Sequence, residues 1–141
     1  MVEFRETVTV DAPVAKVAEV LYDVAEWPSW TASMSRVERH ATGPLAVGET
    51  VTVKQPRLPV GTWTVTALDE TGFTWTSSTP GVRSTGDHRA QEEADGRTTV
   101  TLTLAMSGPL AWLTGAVYAR LIRRYIRMEA DGLCRRVERR A

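Results

Sequence analysis

The chain has 141 residues, of which 43% are hydrophobic and 24% charged, and its formal net charge is zero. A chain of this size is expected to fold as one domain, residues 1–141, and to bury roughly 68% of its unfolded surface. Zero net charge excludes a global field that would draw it to nucleic acid or anionic lipid, and the lone Cys134 excludes an internal disulfide and a cysteine-based metal site.

The opening stretch MVEFRETVTV carries Glu3, Arg5 and Glu6, so it lacks the apolar core of a signal peptide. It alternates instead, with Phe4, Glu6, Val8 and Val10 opposed to Arg5, Thr7 and Thr9, which is the period of a strand. Asp11 and Pro13 then open a short helix that places Val14, Val17, Ala18 and Leu21 on one face. Pro28 ends that region. In DVAEWPSW, Trp27 and Trp30 flank the break, where two short helices meet. The expectation is that Trp27 plugs the core and Trp30 lines an entrance to it. The chain becomes extended from Met34 to His40.

From there to residue 108, strands follow one another between turn signals. GPLAVG is a loop, ETVTVKQ alternates and RLPVG breaks the pattern. TWTVTAL alternates with Trp63, Val65 and Ala67 on one side, and FTWTSS continues with Phe73 and Trp75. The last pair of strands spans about 82–92 and about 97–106. No stretch offers a crossover helix, so neighbours pair antiparallel as a meander.

The pattern then becomes helical. GPLAWLTGAVYARLIRRYIRMEADGLCRRVERR has Pro109 near its start and apolar positions at Leu113, Val117, Tyr118, Leu121, Tyr125, Met128 and Leu133. About 30 residues at about 1.5 Å each make a rod of roughly 45 Å. A domain of this size is only about 37 Å across. One helix therefore crosses the whole molecule, and six or seven strands must curl around it to bury its apolar stripe, giving an α+β fold. Arginine supplies most of the basic residues, and Arg120 to Arg140 is rich in it. Glu129, Asp131 and Glu138 interrupt that run, which reads as a solvated helix face and not as a nucleic-acid arm.

The final hairpin decides what faces the helix. A three-residue loop of Ala94, Asp95 and Gly96, with the glycine left-handed, sets Ala90 opposite Val100, His88 opposite Leu102, Gly86 opposite Leu104 and Ser84 opposite Met106. Val100, Leu102, Leu104 and Met106 must face inward, so the small residues and His88 face inward with them. Small side chains opposite a long helix leave room for a guest. A loop of another length would bury the charges of Arg83, Asp87 and Arg89.

The order of elements, with DVAEWPSW, PGVRSTGDHR and SGPLAWL along it, resembles the SRPBCC superfamily over residues 3–138. This group includes the START lipid-transfer domains, the birch-pollen allergen relatives and the polyketide cyclase/dehydrase and lipid-transport-like bacterial proteins. The resemblance implies a helix-grip fold, a curved antiparallel sheet holding the C-terminal helix around an apolar cavity. It implies no single reaction, because members bind lipids, hormones or polyketides and only some are enzymes.

The leading expectation is a protein that binds a small hydrophobic or aromatic molecule. The expected ligand-binding residues are Trp30, Trp63, Trp75, Ser84, His88, Leu102, Met106, Tyr118, Leu121 and Tyr125. His88 is the candidate acid or base of an alternative role, a cofactor-independent polyketide cyclase/dehydratase. A third role is a protein-interaction or chaperone-like module using the outer surface. His40 falls at a strand end and is expected to be exposed. No His/Asp/Glu spacing forms a metal-ligand set, and TGPLAVG lacks the lysine and context of a phosphate loop, so neither metal nor cofactor is expected. The longest weakly polar run, Gly108 to Ala119, falls short of the about 20 residues that cross a bilayer. A cytoplasmic protein without stable membrane insertion or a nucleic-acid partner is expected.

Overall fold

The computed structural model describes residues 1–140. Its strands are β1 (Val2–Val10), β2 (Arg36–Arg39), β3 (Thr50–Lys54), β4 (Gly61–Leu68), β5 (Gly72–Thr79), β6 (Val82–Glu92) and β7 (Thr98–Ser107). Helix α1 (Val14–Tyr22) and a 3-10 helix (Val24–Ser29) follow β1, and α2 (Ala111–Arg140) follows β7. The strands form one seven-stranded sheet in the order β1-β7-β6-β5-β4-β3-β2, with every neighbouring pair antiparallel. The sheet curves around α2 as a helix-grip fold, the α+β architecture the sequence implies.

The hairpin between β6 and β7 has the expected register. Ser84 pairs with Met106, Gly86 with Leu104, His88 with Leu102 and Ala90 with Val100. Gly96 has φ 87°, which a side chain rarely tolerates, and the Glu93 amide donates to the Arg97 carbonyl at 2.7 Å. Asp87 therefore lies on the outer face, where its carboxylate accepts from Thr74 Oγ1 at 2.6 Å and from Arg89 Nε at 3.1 Å. This excludes the inward Arg83–Asp87 arrangement of the other registers. One local departure lies in β4, where a bulge between Val65 and Ala67 breaks the alternation and leaves Ala67 exposed instead of beside Val65.

Helix α1 starts on Pro13 without a side-chain cap of its own. Glu92 at the end of β6 supplies the acceptor instead, taking the Val14 amide at 3.3 Å. Val17, Val20 and Leu21 bury against the core, and Trp27 follows with only 1% of its surface exposed. Its indole donates to the Leu21 carbonyl at 3.1 Å, which satisfies the one polar atom this ring brings inside.

Helix α2 runs beside β1 in the same direction. Arg127 pairs with Glu6 at 2.7 Å, and Glu138 accepts the Asp11 amide at 2.9 Å. Gly115 lies against Val2 so closely that an added Cβ would sit 2.9 Å from Val2 Cγ1. The buried line of α2 is Gly115, Ile122, Ile126, Ala130, Leu133 and Val137. This corrects part of the expected stripe: Tyr125 and Leu133 are buried, but Leu113 is 45% and Val117 66% exposed. Successive helical residues turn by about 100°, so Leu113 and Val117 stand well away from the line through Gly115 and Ile122. The closest approach of helix to strand selects small residues, and size-weighted hydrophobicity points elsewhere.

Candidate functional site

Between the concave face of the sheet and α2, along the stretch from Thr114 to Glu129, lies a cavity of about 420 Å³. Its sheet wall carries Trp63 from β4, Trp75 and Ser77 from β5, and Ser84 from β6, with Leu102 and Met106 from β7. Tyr118, Ile122, Tyr125, Ile126 and Glu129 face it from α2. Leu58 and Pro59, in the loop between β3 and β4, complete the wall opposite the helix. The Tyr125 hydroxyl donates to the Pro56 carbonyl, which ties that loop to α2.

The inner end of the cavity is closed by aromatic rings. His88 stacks on Phe73 with centroids 4.3 Å apart, meets Trp75 edge-on at 5.5 Å, and meets Trp27 edge-on at 5.2 Å. Gly86 has the space of a side chain filled by its neighbour: a Cβ there would lie 2.9 Å from Trp75 Nε1. Part of the volume expected from small residues is thus occupied by indole. What remains open lies towards Ser77, Ser84, Trp63 and the helix.

His88 Nδ1 lies 3.2 Å from the Phe73 carbonyl. A carbonyl only accepts, so Nδ1 carries the proton and Nε2 is the bare nitrogen of the ring. Burial lowers its pKa to about 4, more than the bond to the Phe73 carbonyl and the charge of Asp87 raise it. His88 is therefore a neutral acceptor near pH 7, and a weak base.

Glu129 is the acid that the sequence reading missed. In the sequence it interrupts the arginine run and reads as part of a solvated face. It stands three residues after Ile126 and seven after Ile122, on the same side of α2, and it lines the cavity. Burial raises its carboxyl to about 8, and no hydrogen bond among the described residues offsets this. The signal was available: a carboxylate at helical spacing with two isoleucines, which by themselves mark a buried line.

Of the residues singled out from sequence, Trp63, Trp75, Ser84, His88, Leu102, Met106, Tyr118 and Tyr125 stand together on the cavity wall. Trp30 and Leu121 do not. Trp30 packs on Trp27 with centroids 5.5 Å apart and borders a separate surface recess with Arg124, Arg127 and Arg135. The backbone of Trp30 lies against Gly132 of α2, which draws it to the far side of the helix. Leu121 is half-buried, one residue and about 100° around the helix from Ile122. His40 is exposed and bonded to Thr52 Oγ1 at 2.7 Å.

With this geometry, the chain belongs to the polyketide cyclase / dehydrase and lipid transport family, whose model matches residues 1–138. This is the SRPBCC group. The fold is similar to that of the ZhuI aromatase/cyclase from Streptomyces sp. R1128, with 23% identity and a TM-score of 0.79 over 99% of this chain and 94% of that one. It is similar also to the hypothetical protein jhp0584 from Helicobacter pylori, with 12% identity and a TM-score of 0.82 over 96% of this chain and 88% of that one. Ara h 8.0201 matches at 15% identity and a TM-score of 0.71, over 96% of this chain and 97% of that one. No curated protein matches the chain. At these identities the likeness establishes the fold alone. Among the described residues, no helix is long and apolar enough to cross a membrane.

Proposed function

We propose that the protein binds a small hydrophobic or aromatic molecule in the cavity between sheet and helix. The observation that carries this reading is the unfilled volume of about 420 Å³ walled by Trp63, Trp75, Tyr118 and aliphatic side chains. That size falls in the range of about 300–1,000 Å³ usual for small-molecule sites. A guest that buries about 200 Å² of apolar surface there would gain about 5 kcal/mol at about 25 cal/mol per Å². Ser84, His88 Nε2 and Glu129 supply the few polar points that orient it.

The test is fluorescence titration with the neutral dye N-phenyl-1-naphthylamine. Saturable one-to-one binding is expected, together with its loss in Ser84→Trp, whose side chain fills the open end. Absence of saturation, or equal binding by the filled variant, would overturn the reading.

A second reading, a cyclase/dehydratase acting on a polyketide-like substrate, draws support from the family description. One observation within the cavity also favours it. Glu129 and His88 have protonation equilibria pushed to opposite sides of neutrality, so the cavity holds a protonated carboxyl and an unprotonated imidazole together. Glu129 is the better-matched acid near pH 7, and His88 is a poorly matched base. Turnover of a reactive polyketone that survives both Glu129→Gln and His88→Ala would remove this reading.

A further inference from the structure

An apolar guest alone leaves Glu129 without a counterpart. Its side chain lines the cavity from α2 beside Tyr125, Ile122 and Ile126, and no hydrogen bond holds it among the described residues. A carboxylate half-buried among apolar side chains in that position is costly unless something compensates its charge or its proton. The wall supplies no such group: neither lysine nor arginine lines the cavity among the described residues. His88, facing it from β6, is neutral and bonded through Nδ1 to Phe73. The tyrosine nearest along the helix, Tyr125, spends its proton on the Pro56 carbonyl. The carboxylate of Asp87 lies on the outer face of the sheet, engaged by Thr74 and Arg89. The positive charge that would complete Glu129 is absent from the protein side of the cavity.

We infer that the guest joins an aromatic or apolar body to a single basic amine, bound as an ammonium against Glu129 with the rings of Trp63, Trp75 and Tyr118 around it. The inference rests on the binding role proposed above and narrows it to one chemical class. A carboxylate beside aromatic walls attracts a cation twice, through its charge and through the negative faces of the rings. An anionic guest finds no cationic side chain on that wall among the described residues and would set a second carboxylate beside Glu129.

Binding has a proton signature. With a carboxyl that titrates at about 8, Glu129 is mostly protonated at pH 7. An ammonium in water carries its own proton, so its capture as an ion pair expels the proton of Glu129 to solvent. Each complex formed at pH 7 therefore releases close to one proton. Affinity for the amine rises about tenfold per pH unit below that pKa and levels off above it.

The experiment compares 1-naphthylmethylamine, 1-naphthalenemethanol and 1-naphthoate, three guests of one shape and three charges. Isothermal titration calorimetry at pH 7 and 8, each in two buffers of different ionisation enthalpy, gives affinity and proton release together. The amine is expected to bind at least tenfold tighter than the alcohol at pH 8, the naphthoate not at all. Glu129→Gln is expected to bring the amine down to the affinity that the alcohol has for the unmodified protein, or below, and to abolish the proton release. If the alcohol binds but the amine is no tighter, or binds without releasing a proton, this inference fails and cavity binding stands. If neither amine nor alcohol binds the unmodified protein, both fail. Proton release by the unmodified protein decides the matter even if Glu129→Gln does not fold.

Discussion

The two halves of α2 meet the sheet differently. In the second half, Ala130 and Leu133 are fully buried and Val137 is 1% exposed, and the helix is packed against β1 and α1. In the first half, Trp112 is 68% and Val117 66% exposed, while the inward side of the same turns faces open volume. The same helix is thus a structural strut at one end and a cavity wall at the other. What distinguishes them is the partner: near its end the helix meets the start of α1, with Glu138 accepting the Asp11 amide, whereas around Tyr125 the loop between β3 and β4 closes over open volume. The filled end supplies packing, and the open end supplies the volume in which the proposed guest would sit.

The sharpest way to break that comparison is to truncate one residue in each half. Leu133→Ala removes a side chain with no exposed surface, and a loss of about 2–5 kcal/mol is expected in urea denaturation. A loss below about 1 kcal/mol would mean that the filled end is not filled. Next in size is Gly86→Val, at the border of the two regions. Its Cβ would press on Trp75 at 2.9 Å, so a loss of about 1–3 kcal/mol and a diminished capacity for the naphthylamine dye are expected.

The open end also carries a pH signature. Glu129 has its pKa raised from 4.5 to about 8 on folding, so the folded state holds a proton that the unfolded state has lost. That difference makes stability fall as pH rises from about 4.5 to about 8, by up to about 1.4 kcal/mol per pH unit. His88 has its pKa lowered from 6.5 to about 4, so its contribution is full above 6.5 and is lost as pH falls through that window towards 4. The two offset each other below 6.5, and between 6.5 and 8 the fall due to Glu129 stands alone. Thermal melting of Glu129→Gln is expected to lack that fall and to show the acid-side loss due to His88 more clearly. Parallel curves for the two proteins would contradict the burial of Glu129. The smallest effect belongs to the exposed face of α2: Leu113→Ala should change stability by no more than about 0.5 kcal/mol in the same denaturation measurement.

The sequence carried the fold further than it carried the site. The β6–β7 register was legible because Gly96 pins the loop and because every other register buries charge. Six of the expected wall residues, Trp63, Trp75, Ser84, His88, Leu102 and Met106, follow from that register and from strand alternation. The helix was harder to orient. Its buried line runs through Gly115, which lets the helix come close to Val2 of β1, and through Ala130, and neither announces itself by hydrophobicity. Leu121 was misplaced for that reason. Trp30 was misplaced because its position depends on contact with Gly132, more than a hundred residues away. Glu129 was passed over because a charge in an arginine-rich helix reads as solvated, although its spacing from Ile122 and Ile126 places it inside.

The chain has five tryptophans, and their indole N–H signals separate the regions of the molecule in one spectrum. Titrating N-phenyl-1-naphthylamine into 15N-labelled protein should move the signals of Trp63 and Trp75, which stand on the cavity wall, and leave those of Trp112 and Trp30 in place. Shifts confined to Trp112, or no shift at saturating dye, would contradict a guest held between sheet and helix.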